Sequence, residues 1–258
     1  MRSIWTGTIG FGLVNIPIKL FSATQASEIN LDMLDKKDLS HIKFKRVNEN
    51  TGKEVTWQNI VKGYMVENKY VVLDEKDFEQ ASAIKTKVIE ISDFVAEKEI
   101  DSVFFEMPYY IAPEKSGVRA YALLKEALLK TAKVGVATFV MRNKESLAIL
   151  RATEEVIILN RLRFAEEIRS TKELELPPKS TIKPNELKMA TALIDQLSGK
   201  FNASKYKDTY TAQLLKIIKL KSKGAKMPVT HLKVVHSKNK NLEDQLKESL
   251  QTKRKKAS

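Results

Sequence analysis

Residues 1–23 read MRSIWTGTIGFGLVNIPIKLFSA, and this stretch decides the expected fold of the N-terminal part. On either side of its central glycines, apolar residues alternate with small or polar ones, and a period of two predicts β-strands. The glycines themselves indicate bends or a close approach of two backbones, as at the corner of a barrel. The stretch does not fit a secretory leader, because the glycines, Asn15 and Pro17 would break the apolar helix that such a leader needs.

Strand-like segments continue through the first two-thirds of the chain, interrupted by one helix. That helix is predicted over residues 117–130, where Val118, Tyr121, Leu124 and Leu128 recur on one face. Pro108 cannot donate a ladder hydrogen bond, so it predicts an edge or a bulge in its strand. The strands are expected over residues 87–95, 103–112, 134–141, 146–151 and 155–160, with a tight turn at 142–145.

Prolines 177, 178 and 184 mark a boundary, beyond which the apolar period becomes helical. The helical stripes are Leu187, Ala190, Ile194 and Leu197, then Tyr206, Tyr210, Leu214 and Ile217, and finally Leu242, Leu246 and Leu250. We therefore predict three parts: a mainly antiparallel β core over 1–178, a helical arm over 179–225, and a basic tail over 226–258. The tail is expected to contain one short amphipathic helix.

The net charge of +13 is distributed very unevenly along the chain. Residues 1–178 carry 26 basic and 26 acidic side chains, whereas residues 179–258 carry 19 basic and 6 acidic ones, so 19 minus 6 accounts for the whole excess. A polyanionic partner, either nucleic acid or an anionic membrane surface, is the natural interpretation. The plainer alternative is a solubilising face and a disordered tail. No apolar run approaches the length of a membrane span. Of the two polyanions we expect nucleic acid as the partner, and no membrane.

Residues with catalytic or metal-binding chemistry are sparse. The chain has no cysteine and three histidines, and their spacing matches no metal site, so we predict neither metal nor cofactor. The absence of cysteine is compatible with a reducing, cytoplasmic compartment. Carboxylates are plentiful, but no spacing singles out a pair, so no catalytic residue is predicted. A metal-dependent nuclease built from scattered carboxylates remains an alternative to a binding protein.

A basic hairpin is the strongest candidate for a functional element. Residues 42–47 alternate apolar and basic side chains, NENTG at 48–52 is a strong turn sequence, and residues 53–57 begin a return strand. We expect this hairpin to occupy about residues 41–66. Basic side chains on one face of a ribbon suit phosphate contacts, although an exposed sheet face whose lysines discourage aggregation explains the pattern equally well.

The chain resembles the bacterial Ku family, whose members bind DNA ends in non-homologous end joining. The resemblance begins with residues 1–23 and continues, in the order of the family, over nearly the whole chain. The matching blocks are IVKGY at 60–64 with YVVL at 70–73, PYY at 108–110 with AYALLKEAL at 120–128, RFAEEIR at 163–169, and the helical segment 187–223.

The resemblance implies an α+β fold, mainly antiparallel β: a Ku-type β-barrel core with a bridging hairpin and a helical C-terminal arm. It implies a homodimeric ring that binds ends of double-stranded DNA without sequence specificity, on the nucleoid in the cytoplasm. With it, phosphate contact becomes the leading interpretation of the hairpin. The expected DNA-binding residues are Lys43, Lys45, Arg46, Lys53 and Lys62, with Arg142 and Lys144 in the tight turn.

The resemblance also names a protein partner, the ATP-dependent DNA ligase of end joining. The amphipathic stripe Leu242, Leu246 and Leu250 lies beyond the core, so we expect these leucines to bind that ligase. The alternative is a nascent helix that never docks. A third hypothesis for the whole chain is a general nucleoid-coating protein, which would bind closed circles and linear DNA equally.

Overall fold

The computed structural model describes residues 1–81, 87–141, 144–178, 182–224 and 241–254. The chain divides into two compact units: residues 1–26 with 30–170, and residues 27–29 with 171–258. The three-part division at 178 and 225 stays a prediction. Arg142 and most of the basic tail lie outside the described residues.

The first unit is built on a closed β-barrel of seven strands within the described part of the chain. Around the barrel the order is β1-β2-β6-β9-β8-β7-β5; six neighbouring pairs are antiparallel, and the pair of β1 and β5 that closes the circle is parallel. The strands are β1 Trp5–Phe11, β2 Val14–Ser22, β5 Val88–Ala96, β6 Phe105–Pro113, β7 Lys133–Met141, β8 Lys144–Ala152 and β9 Ile157–Leu162. The expected fold, a mainly antiparallel barrel with helices, is confirmed.

The glycines of the opening stretch serve the turn and the close approach that the sequence predicts. Gly12 has a positive φ of 56° in the two-residue turn between β1 and β2, a backbone conformation that favours glycine. A Cβ on Gly7 would stand 2.2 Å from the Lys87 carbonyl oxygen, so β1 could not lie this close to the start of β5 with a larger residue.

Pro108 produces a bulge, and not an edge. Strand β6 lies between β2 and β9, and its register against β9 shifts between Phe105 and Pro108. The barrel is closed, so no edge was available for this proline, and the extra residue of the bulge accommodates it instead.

One helix, α2 (Val118–Thr131), contributes to the barrel core as predicted. Tyr121, Leu124 and Leu128 are buried with the inward-facing residues of the strands, whereas Val118 is 54% exposed. The buried Tyr121 hydroxyl donates to the Ile111 carbonyl oxygen and accepts from the Ile157 N–H, both at 2.8 Å. Burial raises the pKa of Tyr121, so the hydroxyl stays protonated and links α2 to β6 and β9.

Between β2 and β5 the chain makes an excursion over residues 30–81, here called the extension. It contains β3 (Lys62–Val66), β4 (Lys69–Leu73) and α1 (Glu75–Ala81). Glu67 and Asn68, the turn between β3 and β4, both have positive φ, as a tight two-residue hairpin requires.

The paired hairpin of the extension is β3 with β4, over residues 62–73, and not the hairpin predicted over 41–66. The turn at 48–52 forms, but pairing beside it is limited, among the described residues, to the bridge between Val47 and Glu54 and its adjoining hydrogen bonds. A 3₁₀ turn at Trp57–Asn59 diverts the chain before a return strand can develop. Sequence alternation could not reveal this diversion.

The described residues of the second unit contain three α-helices: α3 (Pro184–Leu197), α4 (Thr209–Lys221) and α5 (Leu242–Arg254). α3 and α5 pack against each other. Of the stripe predicted for α3, Ala190 is half-buried, whereas Leu187, Ile194 and Leu197 are exposed; Met189 and Leu193, outside that stripe, are half-buried. None of the described helices is both long and apolar enough to cross a membrane.

Candidate nucleic-acid interface

The turn at residues 48–52 is organised by one side chain. The Asn48 Oδ1 atom accepts hydrogen bonds from the N–H groups of Asn50 and Thr51, both at 3.0 Å. Gly52 closes the turn with φ +66°, and its N–H donates to the Asn48 carbonyl oxygen. The sequence NENTG therefore forms the turn that it predicts, and the turn brings the basic residues before it near those after it.

Three of the five cations predicted in the extension are held by neighbouring side chains. Lys45 forms an ion pair with Glu54, with 2.7 Å between Nζ and Oε2. The Arg46 guanidinium lies 4.7 Å from the centre of the Trp57 ring, and the Lys62 ammonium lies 4.8 Å from that of Phe78. Cation–π contacts orient a charge without neutralising it, so Arg46 and Lys62 remain able to meet phosphates.

Lys43 and Lys53 are exposed, and neither has an ion-pair partner among the described residues. Between positions 41 and 62 the five basic side chains face two acidic ones, Glu49 and Glu54, for a net charge of 5 − 2 = +3. The local field of this segment is thus positive, and Lys43 and Lys53 are its least neutralised cations.

Lys144 belongs to the barrel and not to the turn, because it is the first residue of β8. Its Nζ atom lies 3.5 Å from Glu167 Oε1. The Phe164 N–H, followed by Lys144 and Arg163, holds the pKa of Glu167 below its usual range, so this carboxylate stays charged and partly neutralises Lys144. Arg142, the other DNA-binding residue predicted in the tight turn, lies outside the described residues.

The carboxylates of the described residues include no cluster of three or more that could hold a metal ion. Glu106, on β6, is instead held by two arginines: Arg161 donates to Oε2 from Nε at 2.6 Å, and Arg163 Nη1 lies 3.0 Å from Oε1. No pattern in the sequence indicates this network, because its members are brought together only by the pairing of β6 with β9.

The leucines predicted to bind a ligase are partly covered within their own unit. Leu242 is 55% exposed, whereas Leu246 and Leu250 are half-buried. Leu250 lines an open cavity of about 580 Å³ with Ala192 and Gln196 of α3. At the other end of the pair, Asn185 Nδ2 lies 3.3 Å from Glu243 Oε1. The leucine stripe of α5 therefore packs against α3. Neither of the two hypotheses drawn from the sequence, ligase binding by these leucines or a helix that never docks, includes this contact.

A second basic surface, absent from the predicted sites, lies on α4. Lys216, Lys219 and Lys223 are exposed and share one face, as the sequence spacing indicates. Residues 200–224 hold seven lysines and one aspartate, so this segment carries a larger net charge, 7 − 1 = +6, than residues 41–62.

Comparison with known proteins agrees with this architecture. The family model of the Ku70/Ku80 β-barrel domain matches residues 10–189, well over half of the chain. The non-homologous end joining protein Ku of Opitutus terrae is 41% identical over 86% of this chain and 80% of its own length. That of Bacillus subtilis is 41% identical over 89% and 75%, and that of Archaeoglobus fulgidus 38% over 97% and 99%.

Among solved structures, the SPOC domain of human PHD-finger protein 3 covers 62% of this chain with a TM-score of 0.32 and 11% identity, too distant to support any conclusion. The family match and the extent of identity to the curated relatives are decisive without it. The chain is a member of the Ku family of non-homologous end joining proteins.

Proposed function

We propose that this protein binds the ends of double-stranded DNA as a homodimeric ring, without sequence specificity, and brings a DNA ligase to them. It would act on the nucleoid by binding, and not by catalysis. The observation that carries the proposal is the family membership, combined with an extension that is rich in exposed apolar side chains and contains one basic segment, residues 41–62.

The exposed apolar side chains of the extension support the homodimer. Phe44 is 79% exposed, Trp57 70%, Tyr64 69% and Tyr70 71%. Aromatic side chains of this size are the anchors that protein interfaces bury. Since two copies of one chain meet most often about a two-fold axis, two extensions facing each other would cover these side chains and enclose a duplex.

Phosphate contacts would come from the cations described above. Lys43 and Lys53 are the first candidates, followed by Arg46, Lys62 and Lys45, with Lys144 on the barrel and Arg142 in the predicted tight turn. Such contacts position a protein on a duplex and do not read its sequence. Selectivity for ends would then come from threading, since a closed ring can pass onto DNA only where the duplex terminates.

The test compares one linear duplex with the same sequence as a covalently closed minicircle, at matched salt, by gel shift. We expect binding to the linear form and little to the minicircle. In the variant Lys43→Gln/Lys53→Gln, the slope of log affinity against log salt should flatten by about 1.8 if both lysines meet phosphates.

The control variant Lys36→Gln/Lys37→Gln removes the same charge from the same extension at positions without a proposed role. If the slope of log affinity against log salt flattens equally in both variants, the lysines act through the overall charge of the extension and not through specific phosphate contacts. Equal binding of the minicircle and the linear duplex would contradict threading and favour a nucleoid-coating protein.

Ligase recruitment by α5 is the second half of the proposal, supported by the exposure of Leu242 at the start of the helix. Deleting residues 240–258 should abolish stimulation of the end-joining ligase while leaving end binding intact. Leu242→Ala should weaken stimulation more than the exposed-site control Leu215→Ala on α4. Unchanged stimulation after the deletion would refute this role.

A further inference from the structure

We propose that the face of α4 formed by Lys216, Lys219 and Lys223, here called the lysine face, is a contact site for the phosphate backbone of double-stranded DNA. It lies outside the barrel unit and is separate from the candidates in the extension. The inference rests on the proposed binding of duplex DNA, and names a surface of the second unit that takes part in it.

The three lysines of the lysine face follow one another along one side of α4 and its C-terminal turn, and no carboxylate pairs with them among the described residues. Lys216 and Lys219 lie on the helix, and Lys223 lies in the turn that continues it, where the Lys223 N–H donates to the Leu220 carbonyl oxygen. All three are exposed, and among the described residues none forms an ion pair. Seven residues at about 1.5 Å each span roughly 10 Å, the length over which one DNA strand presents about three phosphates.

Asp208, the single acidic residue of residues 200–224, is hydrogen-bonded at the start of α4 and does not neutralise the lysine face. Asp208 caps the start of α4: its carboxylate accepts from the Thr211 N–H at 3.0 Å and from the Thr211 hydroxyl. These hydrogen bonds lower the pKa of Asp208, so its charge is fixed at the N-terminus. The lysine face begins two turns later, and no carboxylate follows in the sequence until Glu243.

The arrangement costs helix stability, which distinguishes it from an ordinary solvated face. Lys216 and Lys219 are three residues apart, and Lys219 and Lys223 four apart. Like charges at these spacings destabilise a helix by about 0.2–0.5 kcal/mol per pair. Two other lysines of this unit are compensated: Lys247 on α5 pairs with Glu243 at 2.9 Å, and Lys183, just before α3, lies 3.8 Å from Glu186, whereas Lys188 on α3 forms no ion pair among the described residues.

The helix dipole explains only part of this pattern. Cations in the last turn are stabilised by the negative end of the helix, which accounts for Lys219 and Lys221. Lys216 lies more than one turn before the end of α4, where this effect has largely decayed. A dipole also favours cations on every side of the helix, and does not select one face.

An anionic membrane is the other polyanion that a basic helix could meet. An interfacial helix inserts a broad, accessible apolar face, rich in Trp, Phe or Leu, into the membrane surface. α4 has one aromatic residue, Tyr210, and three of its large apolar side chains, Leu214, Ile217 and Leu220, are half-buried within the protein. Together with the family membership, this favours the duplex.

The experiment measures affinity for a linear duplex across a series of salt concentrations. The variant Lys216→Gln/Lys219→Gln/Lys223→Gln should flatten the salt slope by about 2.7, and lower the affinity on the order of 100-fold near physiological salt. Glutamine is a helix former comparable to lysine, so circular dichroism should show α4 intact. The triple arginine variant, which keeps the charges, should retain the slope.

The matched control is Lys183→Gln/Lys188→Gln/Lys247→Gln, which removes three charges from α3 and α5 of the same unit and should leave the slope nearly unchanged. An equal loss in both triple variants, or no loss in the first, would overturn the proposal. So would unaltered DNA binding alongside lost binding to phosphatidylserine vesicles. Failure of the end-binding proposal is distinguishable, because it would appear as wild-type protein binding the minicircle and the linear duplex equally.

Discussion

The barrel and the extension belong to one unit of the chain, yet they treat their apolar side chains in opposite ways. In the barrel, Ile18, Leu150 and Leu159 are fully buried. In the extension, nearly every residue from 31 to 80 is exposed, and Asp35, Val55 and Leu73 are half-buried. The barrel therefore carries its own core, and the extension has none.

The barrel and the extension therefore differ in what stabilises their folded conformations. A closed barrel pairs all its strands and buries its inward-facing side chains, so its stability is intramolecular. A two-stranded ribbon such as β3–β4 is marginally stable alone, and a hairpin organised by one asparagine side chain adds little to it. The extension would gain its apolar burial from a second copy of the chain, so its order should depend on concentration, unlike that of the barrel.

The largest effect is expected from the barrel core. Leu159→Ala should lower the free energy of unfolding by about 2–5 kcal/mol, because it leaves a cavity among packed side chains. Chemical denaturation should give this loss at every protein concentration. The control Leu123→Ala, at a position 71% exposed on α2, should change stability by less than about 0.5 kcal/mol. Equal losses would contradict the placement of the core.

A somewhat smaller effect is expected from the extension, and it should appear in association. Phe44→Ala should weaken the dimer by about 2 kcal/mol, roughly 30-fold in Kd, because interface aromatics contribute on this scale. Sedimentation velocity over a dilution series measures it. Barrel unfolding should be unaltered under conditions where both proteins are monomeric. A dimer of unchanged Kd would place the interface elsewhere.

Hydrogen bonds should show the same contrast at a lower magnitude. Tyr121→Phe removes a buried hydroxyl that serves both Ile111 and Ile157, and should cost about 1–3 kcal/mol, since the buried N–H loses its partner. In the extension, Thr51→Val removes an exposed acceptor 3.4 Å from the Lys53 N–H and should have almost no effect. A similar loss of unfolding free energy in both variants would contradict the contrast.

The smallest effect is a pH dependence shared by both regions. The Ser40 N–H lowers the pKa of Asp38 in the extension, and the Phe164 N–H lowers that of Glu167 beside the barrel. A lowered folded-state pKa gives stability that is present above the unfolded values of 3.8 and 4.5 and is lost as pH falls through the folded values. The protection of the Ser40 and Phe164 amides against hydrogen exchange, measured relative to the intrinsic exchange rate at each pH, should therefore fall only on acidification below these values. A loss of protection near neutrality would contradict the assignment.

The sequence predicts the barrel better than the extension for a physical reason. Strand alternation and the face of α2 are local patterns, and the barrel buries the side chains that those patterns select. The placement of the bulge at Pro108 follows from its missing N–H. In the extension, the turn sequence at 48–52 predicts a hairpin around it. The strands pair elsewhere, because a 3₁₀ turn at Trp57–Asn59 redirects the chain and the Glu67–Asn68 turn joins β3 to β4.

The candidate site is predictable in composition and not in contacts. The basic residues around the turn are evident in the sequence, whereas the pairing of Lys45 with Glu54 and the stacking of Arg46 on Trp57 depend on chain direction after the turn. The docking of α5 on α3 brings together residues as far apart in sequence as Asn185 and Glu243, 58 positions, which periodicity alone cannot pair.

The parallel pairing of β1 with β5 has a consequence for how this molecule can change. Strand β2 runs antiparallel to β1, so β2 finishes and β5 starts at the same end of the barrel, with β1 between them. Both roots of the extension therefore emerge side by side, and no barrel strand needs its register altered when the intervening segment is shortened, lengthened or exchanged. A chain in which a brief linker joins residues 23 and 87 should still close its seven strands, giving a self-sufficient monomer without the reach, the basic segment 41–62 or the self-association of the extension.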